Sequence, residues 1–371
     1  MVAAYAKIGH FGDTFRGSTF LHICHNLQET YEGRVWIEPR DGGLEGLHKL
    51  PKDWLIDPAW QGNMINPSRC AIMLSDQWAT VSKSYREDLL NSSSLSPLLR
   101  QKPEPFAFPN GIPIPERIRK LDASAPDHLT AKKYLQQKYF HFGDLDDSIP
   151  MFSFVGRVTA QKGVHLILDI AEHIIQKFEY KVQFLVGGPA NMREPYSAGC
   201  AHKMWALRHK YPNCFWAAPD EFFQDGALVN RGSDFGLMPS VFEPGGIVQH
   251  EFFVGGTPVI AFKTGGLKDS VIEYLWDSQE GCGYTFESHT TGDFIFAMDR
   301  AIGTFKNKAQ YKKLRENAFK ATMDGEVVSK AWLNEFCRLR GKRFIDYGVC
   351  DKLKVQFQPW SPQDYTPISI I

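Results

Sequence analysis

Glu243 and Glu251 stand eight residues apart in the stretch Ser240–Glu251, SVFEPGGIVQHE, with a proline and two adjacent glycines after the first of them. The stretch follows an apolar run. It reads either as an ordinary strand-to-helix turn or as a loop that brings its backbone against a ligand. Upstream, GRVTAQKG carries Arg157 and Lys162 behind another apolar run, five residues apart. Two cations so spaced can reach one phosphate group together; the blander reading is a solvated basic turn. Gly246 and Ile247 fall where a helix would start. Their N–H groups could bind phosphate oxygens, with the helix dipole adding to the attraction. Gly265 and Gly266, after Thr264 in KTGGL, offer a second backbone approach of the same kind.

These residues need elements to hold them. MFSFV, from Met151, reads as a buried strand ending at Gly156-Arg157. Val164, Ile167, Leu168, Ala171, Ile174, Ile175 and Phe178 then recur at helical spacing. KVQFLVGG is the next strand, followed by a helix around Ala201 to Lys210, then NCFWAA, a short helix, SDFGLMPS and GTPVIAF. KTGGLKDSVIEY is a turn entering a helix. Strands alternating with helices predict a parallel sheet with right-handed crossovers. In such a sheet ligands sit beyond the carboxyl ends of the strands. GRVTAQKG, VGGP, FEPGG and KTGG all fall at that edge, which favours a binding cleft there.

The first part is less regular. GSTFLHICHN predicts a strand ending at His25-Asn26, and QWATVSKSYREDLL a strand and then a helix from about Ser82. FAFPNGIPIP is an extended run closed by Pro109-Asn110-Gly111. Only two or three strands are found before residue 120, so this domain is expected to be incomplete. The polar region from Leu121 to Pro150 is expected to hold the linker, with one helix near Ala131 to Lys138. EVVSKAWLNEFCRLRGKRF is amphipathic, and the segment beyond it reads as a tail.

Composition narrows the classes. The chain has 371 residues, enough for two domains, with 42 basic and 42 acidic residues and a formal net charge of zero. Neither nucleic acid nor a membrane surface is called for as a partner. Seven scattered cysteines without a C-x-x-C argue against a disulfide framework or a zinc site, and favour a reducing cytosol. A cytoplasmic location follows, with a plastid left open. His22 and His25 point to opposite faces of a strand and make poor co-ligands, so no metal and no cofactor are expected. Oligomeric state cannot be read.

Taken jointly, GRVTAQKGVHLI, FEPGGIVQHE and KTGGLKDSV resemble the glycogen/starch synthases, retaining glucosyltransferases of family 5. HICHNLQETYEG, ATVSKSYREDL and FPNGI fit the same family in the same order, so the resemblance covers roughly residues 20 to 345. It implies an α/β protein of GT-B type, with two Rossmann-like domains facing a cleft and the N-terminal one incomplete. The expected division is 1–130, 131–330, and a C-terminal helix and tail over 331–371 that could pack back on the first domain. The partners it implies are a nucleoside-diphosphate glucose, ADP-glucose or UDP-glucose, and an α-1,4-glucan. Arg157 and Lys162 would meet charge on the departing diphosphate, because negative charge builds on its oxygens as the bond breaks. Glu243 matches the glutamate at the donor sugar. Glu251 completes the E-x7-E pattern of related retaining enzymes, where the second acid holds the ribose hydroxyls; otherwise it is a helix-surface acid. His25 and Asn26 match an H-N motif that contacts the sugar, and Asn110 matches the Asn of an N-G-[IV]-D loop, although a simple turn explains it too.

The sequence departs from the family in places. Gly245 stands where Cys is usual and Val248 where bacterial members have Thr near the sugar. Pro113 replaces the Asp of the N-G-[IV]-D loop. The opening Lys-x-Gly-Gly-Leu loop and the H-x-x-D-W motif do not occur. Two alternatives therefore stay open: an inactive nucleotide- or glucan-binding remnant, and an E-x7-E glucosyltransferase with another acceptor, such as the sucrose synthase-like proteins. For stacking on the base, Phe222 or Phe223 is the candidate.

Overall fold

The computed structural model describes residues 1–15, 17–37, 49–60 and 64–346. The tail after 346 lies outside them. The chain divides into two units, Met1–Phe108 with Val327–Ile371, and Pro109–Glu326. The expected boundary near residue 130 therefore falls at 108/109, and the C-terminal helix joins the first unit.

In the first unit, β1 (Leu21–Cys24), β4 (Gln77–Thr80) and β5 (Phe106–Ala107) form a three-stranded parallel sheet in the order β1-β4-β5. An antiparallel pair, β2 (Val35–Trp36) and β3 (Met64–Ile65), stands apart from it. β4 is wholly buried, and the Trp78 indole donates to the Leu99 carbonyl at 3.2 Å. Ser82 caps the helix Lys83–Ser92 by accepting from the Tyr85 N–H at 3.1 Å, which fixes the helix start read from the sequence. Trp332, on the helix Gly325–Asp346, packs against Phe106 and Phe108 at 5.6 and 5.0 Å between ring centroids.

The second unit is a six-stranded sheet. Its strands are β6 (Met151–Val155), β7 (Gln183–Gly187), β8 (Phe215–Ala218), β9 (Phe235–Met238), β10 (Val259–Phe262) and β11 (Gly283–Phe286). Every pairing is parallel, in the order β11-β10-β9-β6-β7-β8. This is the doubly wound order, with the reversal between β6 and β9. The short apolar runs become central strands because both faces are covered. Phe152 stacks between Phe184 and Phe235 at 5.7 and 5.3 Å, and the helix Val164–Lys177 buries the apolar stripe read from its sequence.

Two further expectations are corrected. The helix expected from Ala201 starts at Pro195, whose missing N–H costs nothing in a first turn, and the Glu194 side chain accepts from Tyr196 N and Ser197 N. The region from Leu121 to Pro150 is no linker. It holds the end of the helix Ile114–Ser124 and the whole of His128–Phe140. Lys132 and Gln136 within it are fully buried, and an ion-pair cluster ties the region to the sheet: Lys132 Nζ lies 2.8 Å from Asp234 Oδ2, and His128 Nε2 3.2 Å from Asp234 Oδ1. Asp234 also accepts from the Met151 N–H at 2.7 Å and the Tyr311 hydroxyl at 2.6 Å. Burial alone would raise the Asp234 pKa, but Lys132 and His128 hold it well below the usual carboxylate range.

Candidate functional site

Strand order decides which loops meet. β6 and β9 are neighbours at the switch point, so the loops that leave their carboxyl ends run side by side. The Val241 N–H donates to the Gln161 carbonyl at 2.9 Å, and the Gln161 amide returns a bond to the Phe242 carbonyl at 2.9 Å. Gly163 sits between them with φ +63°, and a Cβ there would lie 2.0 Å from the Pro239 carbonyl oxygen. Only glycine lets the turn close this tightly. His289 Nε2 holds the same Pro239 oxygen at 2.8 Å.

The result is a contact between two predicted residues. Lys162, which ends the one-turn helix Ala160–Lys162, makes a short ion pair with Glu243 Oε2. Ser240 Oγ donates to the same oxygen at 3.2 Å. Glu243 is buried, and the Lys162 side chain is 19% exposed. Arg157 lies just past β6 and is exposed; its guanidinium makes no bond among the described residues. The N–H groups of Gly245, Gly246 and Ile247 donate to no acceptor among the described residues. The helix after them, Val248–Phe253, has only six residues, so local donors rather than a long helix dipole are available there.

β10 adds a third loop beside β9. Gly265 and Gly266 were expected to offer a backbone approach to a ligand. The Gly266 N–H is taken, donating to the Glu243 carbonyl at 2.8 Å, while the Gly265 N–H donates to no acceptor among the described residues. A Cβ on Gly265, at φ +43°, would lie 2.3 Å from that carbonyl oxygen, and one on Gly266 would lie 2.7 Å from Gly245 Cα. These glycines therefore seat the Glu243 turn on the next loop. Gln249, which the sequence did not single out, is fully buried beneath it and donates to the Gly245 carbonyl at 3.1 Å. Its only sequence signal was a polar residue on the buried side of a short helix. Its neighbour His250 is buried too, and burial pushes its pKa down to about 4.

Glu251 does not stand as a lone surface acid. Arg117 Nε donates to both its carboxylate oxygens, at 2.8 and 3.0 Å. The two side chains line a cavity of about 330 Å³ together with Lys120, Phe223, Asp225 and Asn230. Phe223 packs on Trp216 at 5.6 Å, whereas Phe222 is exposed. Asn110 precedes Ile112, whose N–H donates to the Met323 carbonyl at 2.9 Å, so the turn is pinned within the second unit. His25 and Asn26 belong to the first unit. His25 is exposed at the carboxyl end of β1, and Asn26 Oδ1 accepts from the Gln28 N–H at 2.9 Å in a local turn. Among the described residues no group of three or more His, Cys, Asp or Glu is placed to hold a metal, and no helix is long and apolar enough to cross a membrane.

Residues 136–321, half of the chain, match the family described as glycosyl transferases group 1, and residues 1–101 match the starch synthase catalytic domain. The glycogen synthase of Finegoldia magna is 28% identical over 347 residues, covering 90% of this chain and 69% of that protein. The glycogen synthase of Desulfitobacterium hafniense is 29% identical over 324 residues, covering 86% of this chain and 65% of that protein. The chain thus spans about two thirds of the length of these relatives. Among solved structures, the catalytic domain of starch synthase IV from Arabidopsis thaliana, bound to ADP and acarbose, superposes with a TM-score of 0.73 at 21% identity, covering 92% of this chain and 71% of that one. Sucrose-phosphate synthase from Thermosynechococcus elongatus superposes with a TM-score of 0.58 at 17% identity, covering 90% and 72%.

Proposed function

The chain belongs to the glycosyl transferases group 1 family, is of the glycogen/starch synthase type with the GT-B fold, and from that premise we propose that it moves glucose from ADP-glucose or UDP-glucose to the 4-hydroxyl of an α-1,4-glucan with retention of configuration. The observation that carries the proposal is the Lys162–Glu243 pair at the switch point, flanked by exposed Arg157 and by three N–H groups that have no acceptor among the described residues. A diphosphate needs such donors, and a sugar next to it needs a fixed carboxylate.

In this reading the bond from the sugar C1 to the diphosphate oxygen breaks, and the acceptor oxygen bonds to C1 from the same face. The acceptor's proton passes to the departing phosphate, so the step needs no further reactant. Arg157 and Lys162 meet the charge that builds on the diphosphate. An ammonium has three donors, so Lys162 can keep Glu243 and still reach a phosphate oxygen. Glu243 positions the sugar and supports positive charge at its ring. Gly245, Gly246, Ile247 and Val248 lie along the donor, and Thr264, Gly265 and Gly266 hold that turn in register. Glu251 takes the ribose hydroxyls, which puts the nucleoside end beside the cavity lined by Phe223. His25, Asn26 and Asn110 are assigned to the sugar by the resemblance alone. The ADP and acarbose bound to the Arabidopsis protein suit a nucleotide donor and a glucan acceptor.

Glucose incorporation into glycogen by Glu243→Ala and Lys162→Ala tests the roles. Both are expected to fall by about a hundredfold or more. Incorporation close to the unsubstituted protein in both would contradict the assignment.

A further inference from the structure

We propose that Arg117 is a positioning residue for nucleotide binding: it fixes the Glu251 carboxylate in the orientation that receives the ribose hydroxyls. The inference rests on the donor-site reading above and deepens it.

The packing fixes Arg117 first. Ile114, Ile118 and Leu121 form the apolar stripe of the helix Ile114–Ser124 and cluster with Val254 and Ala227. Arg117 is adjacent to that stripe, one turn before Leu121. The Arg117 side chain is only partly buried, so the pairing fixes its direction rather than rescuing a buried charge. Glu251 lies three residues before Val254, so it falls on the same side of its own chain segment, one turn away. The two ridges therefore meet as Leu121 and Ile118 against Val254, with Arg117 against Glu251. The start of the Arg117 helix is held as well, because Ile112 is bonded on both sides, its N–H to Met323 and its carbonyl to the Gly325 N–H at 2.8 Å.

The bonding pattern then suggests more than a brace between helices. Arg117 reaches Glu251 through Nε alone, which bridges both oxygens at 2.8 and 3.0 Å. A fork of two nitrogens would occupy the carboxylate more fully. With a single bridging donor, each oxygen keeps lone pairs for two vicinal hydroxyls, and both side chains face the 330 Å³ cavity. Their side chains are 32% and 22% exposed, so the pair is open to a ligand on one side. Without Arg117, the carboxylate would be free to rotate and to hydrate, and a ribose would have to order it.

The test is calorimetric binding of ADP and UDP, each beside its 2′,3′-dideoxy counterpart. For whichever nucleotide the unsubstituted chain binds, Arg117→Ala is expected to weaken binding about tenfold, and Arg117→Lys less. The dideoxy nucleotide is expected to bind the unsubstituted chain and Arg117→Ala within about twofold, because the hydroxyls that read the carboxylate are gone. Arg117→Ala combined with Glu251→Ala is expected to be no weaker than Glu251→Ala alone. Equal weakening of the normal and dideoxy nucleotides would overturn the role and leave Arg117 as a helix brace. Unchanged binding by a folded Arg117→Ala would overturn it too. Failure of the unsubstituted chain to bind either nucleotide would instead overturn the donor-site reading on which the role rests.

Discussion

The two edges of the six-stranded sheet use the same side-chain chemistry to opposite ends. At the amino edge, Asp234 meets Lys132, His128, the Tyr311 hydroxyl and the Met151 N–H, and both Asp234 and Lys132 are fully buried. Each Asp234 oxygen has two partners within the fold. At the carboxyl edge, Lys162 and Glu243 also pair, but Arg157 and the N–H groups of Gly245, Gly246 and Ile247 have no partner among the described residues. Charge that is fully answered by the fold is structure. Charge and donors that the fold gathers and leaves unanswered are what an anionic ligand requires, and they mark the candidate site.

That contrast can be broken or sharpened by substitution. The largest effect belongs to Asp234→Ala. Removing one partner of a buried pair leaves Lys132 uncompensated, at a cost of about 3–5 kcal/mol. Urea unfolding measures it, and transfer per folded molecule is expected to stay unchanged. Arg157→Ala should do the reverse. Transfer is expected to fall about 10²–10³-fold, roughly 2.7–4 kcal/mol of barrier, while the melting temperature holds. A melting loss without an activity loss would erase the distinction between the edges. Gly265→Ala should show both effects at once, because its Cβ would lie 2.3 Å from the Glu243 carbonyl oxygen. About 1–3 kcal/mol of stability is expected to be lost, with transfer reduced as the Glu243 turn shifts.

The smallest effect is in pH. Burial lowers the His250 pKa from 6.5 to about 4, so the fold favours the neutral ring. Its contribution to stability is complete above pH 6.5 and is lost as pH falls toward about 4. Between pH 7 and pH 6 the loss from this residue is small, on the order of 1 kcal/mol or less. His250→Gln should flatten the unfolding curve by that amount over the same interval. A steeper dependence in the variant would have the wrong sign.

Much of this molecule is legible in its sequence, for identifiable reasons. β6, β7 and β9 announce themselves because strands covered on both faces are nearly all apolar, and the glycine clusters mark their carboxyl ends. The Lys162–Glu243 contact follows from strand order, since β6 and β9 are neighbours although 81 residues separate the pair. Lys132 and His128 misled the reading of the Leu121–Pro150 region, because a polar residue looks solvated until its partner is found, and Asp234 is about a hundred residues away. Gly266 misled it differently. A glycine that lets a ligand approach and one that lets another loop approach are the same residue in sequence, and only the bond to the Glu243 carbonyl tells them apart. Arg117 carried no signal at all until Glu251 was found opposite it.

The most direct test of the central claim is a transfer assay with ADP-glucose and with UDP-glucose on a glycogen primer, with the product's anomeric configuration read out. The account predicts α-linked glucose incorporated from at least one donor, and incorporation that collapses in Lys162→Ala. A folded protein that incorporates glucose from neither donor would contradict it.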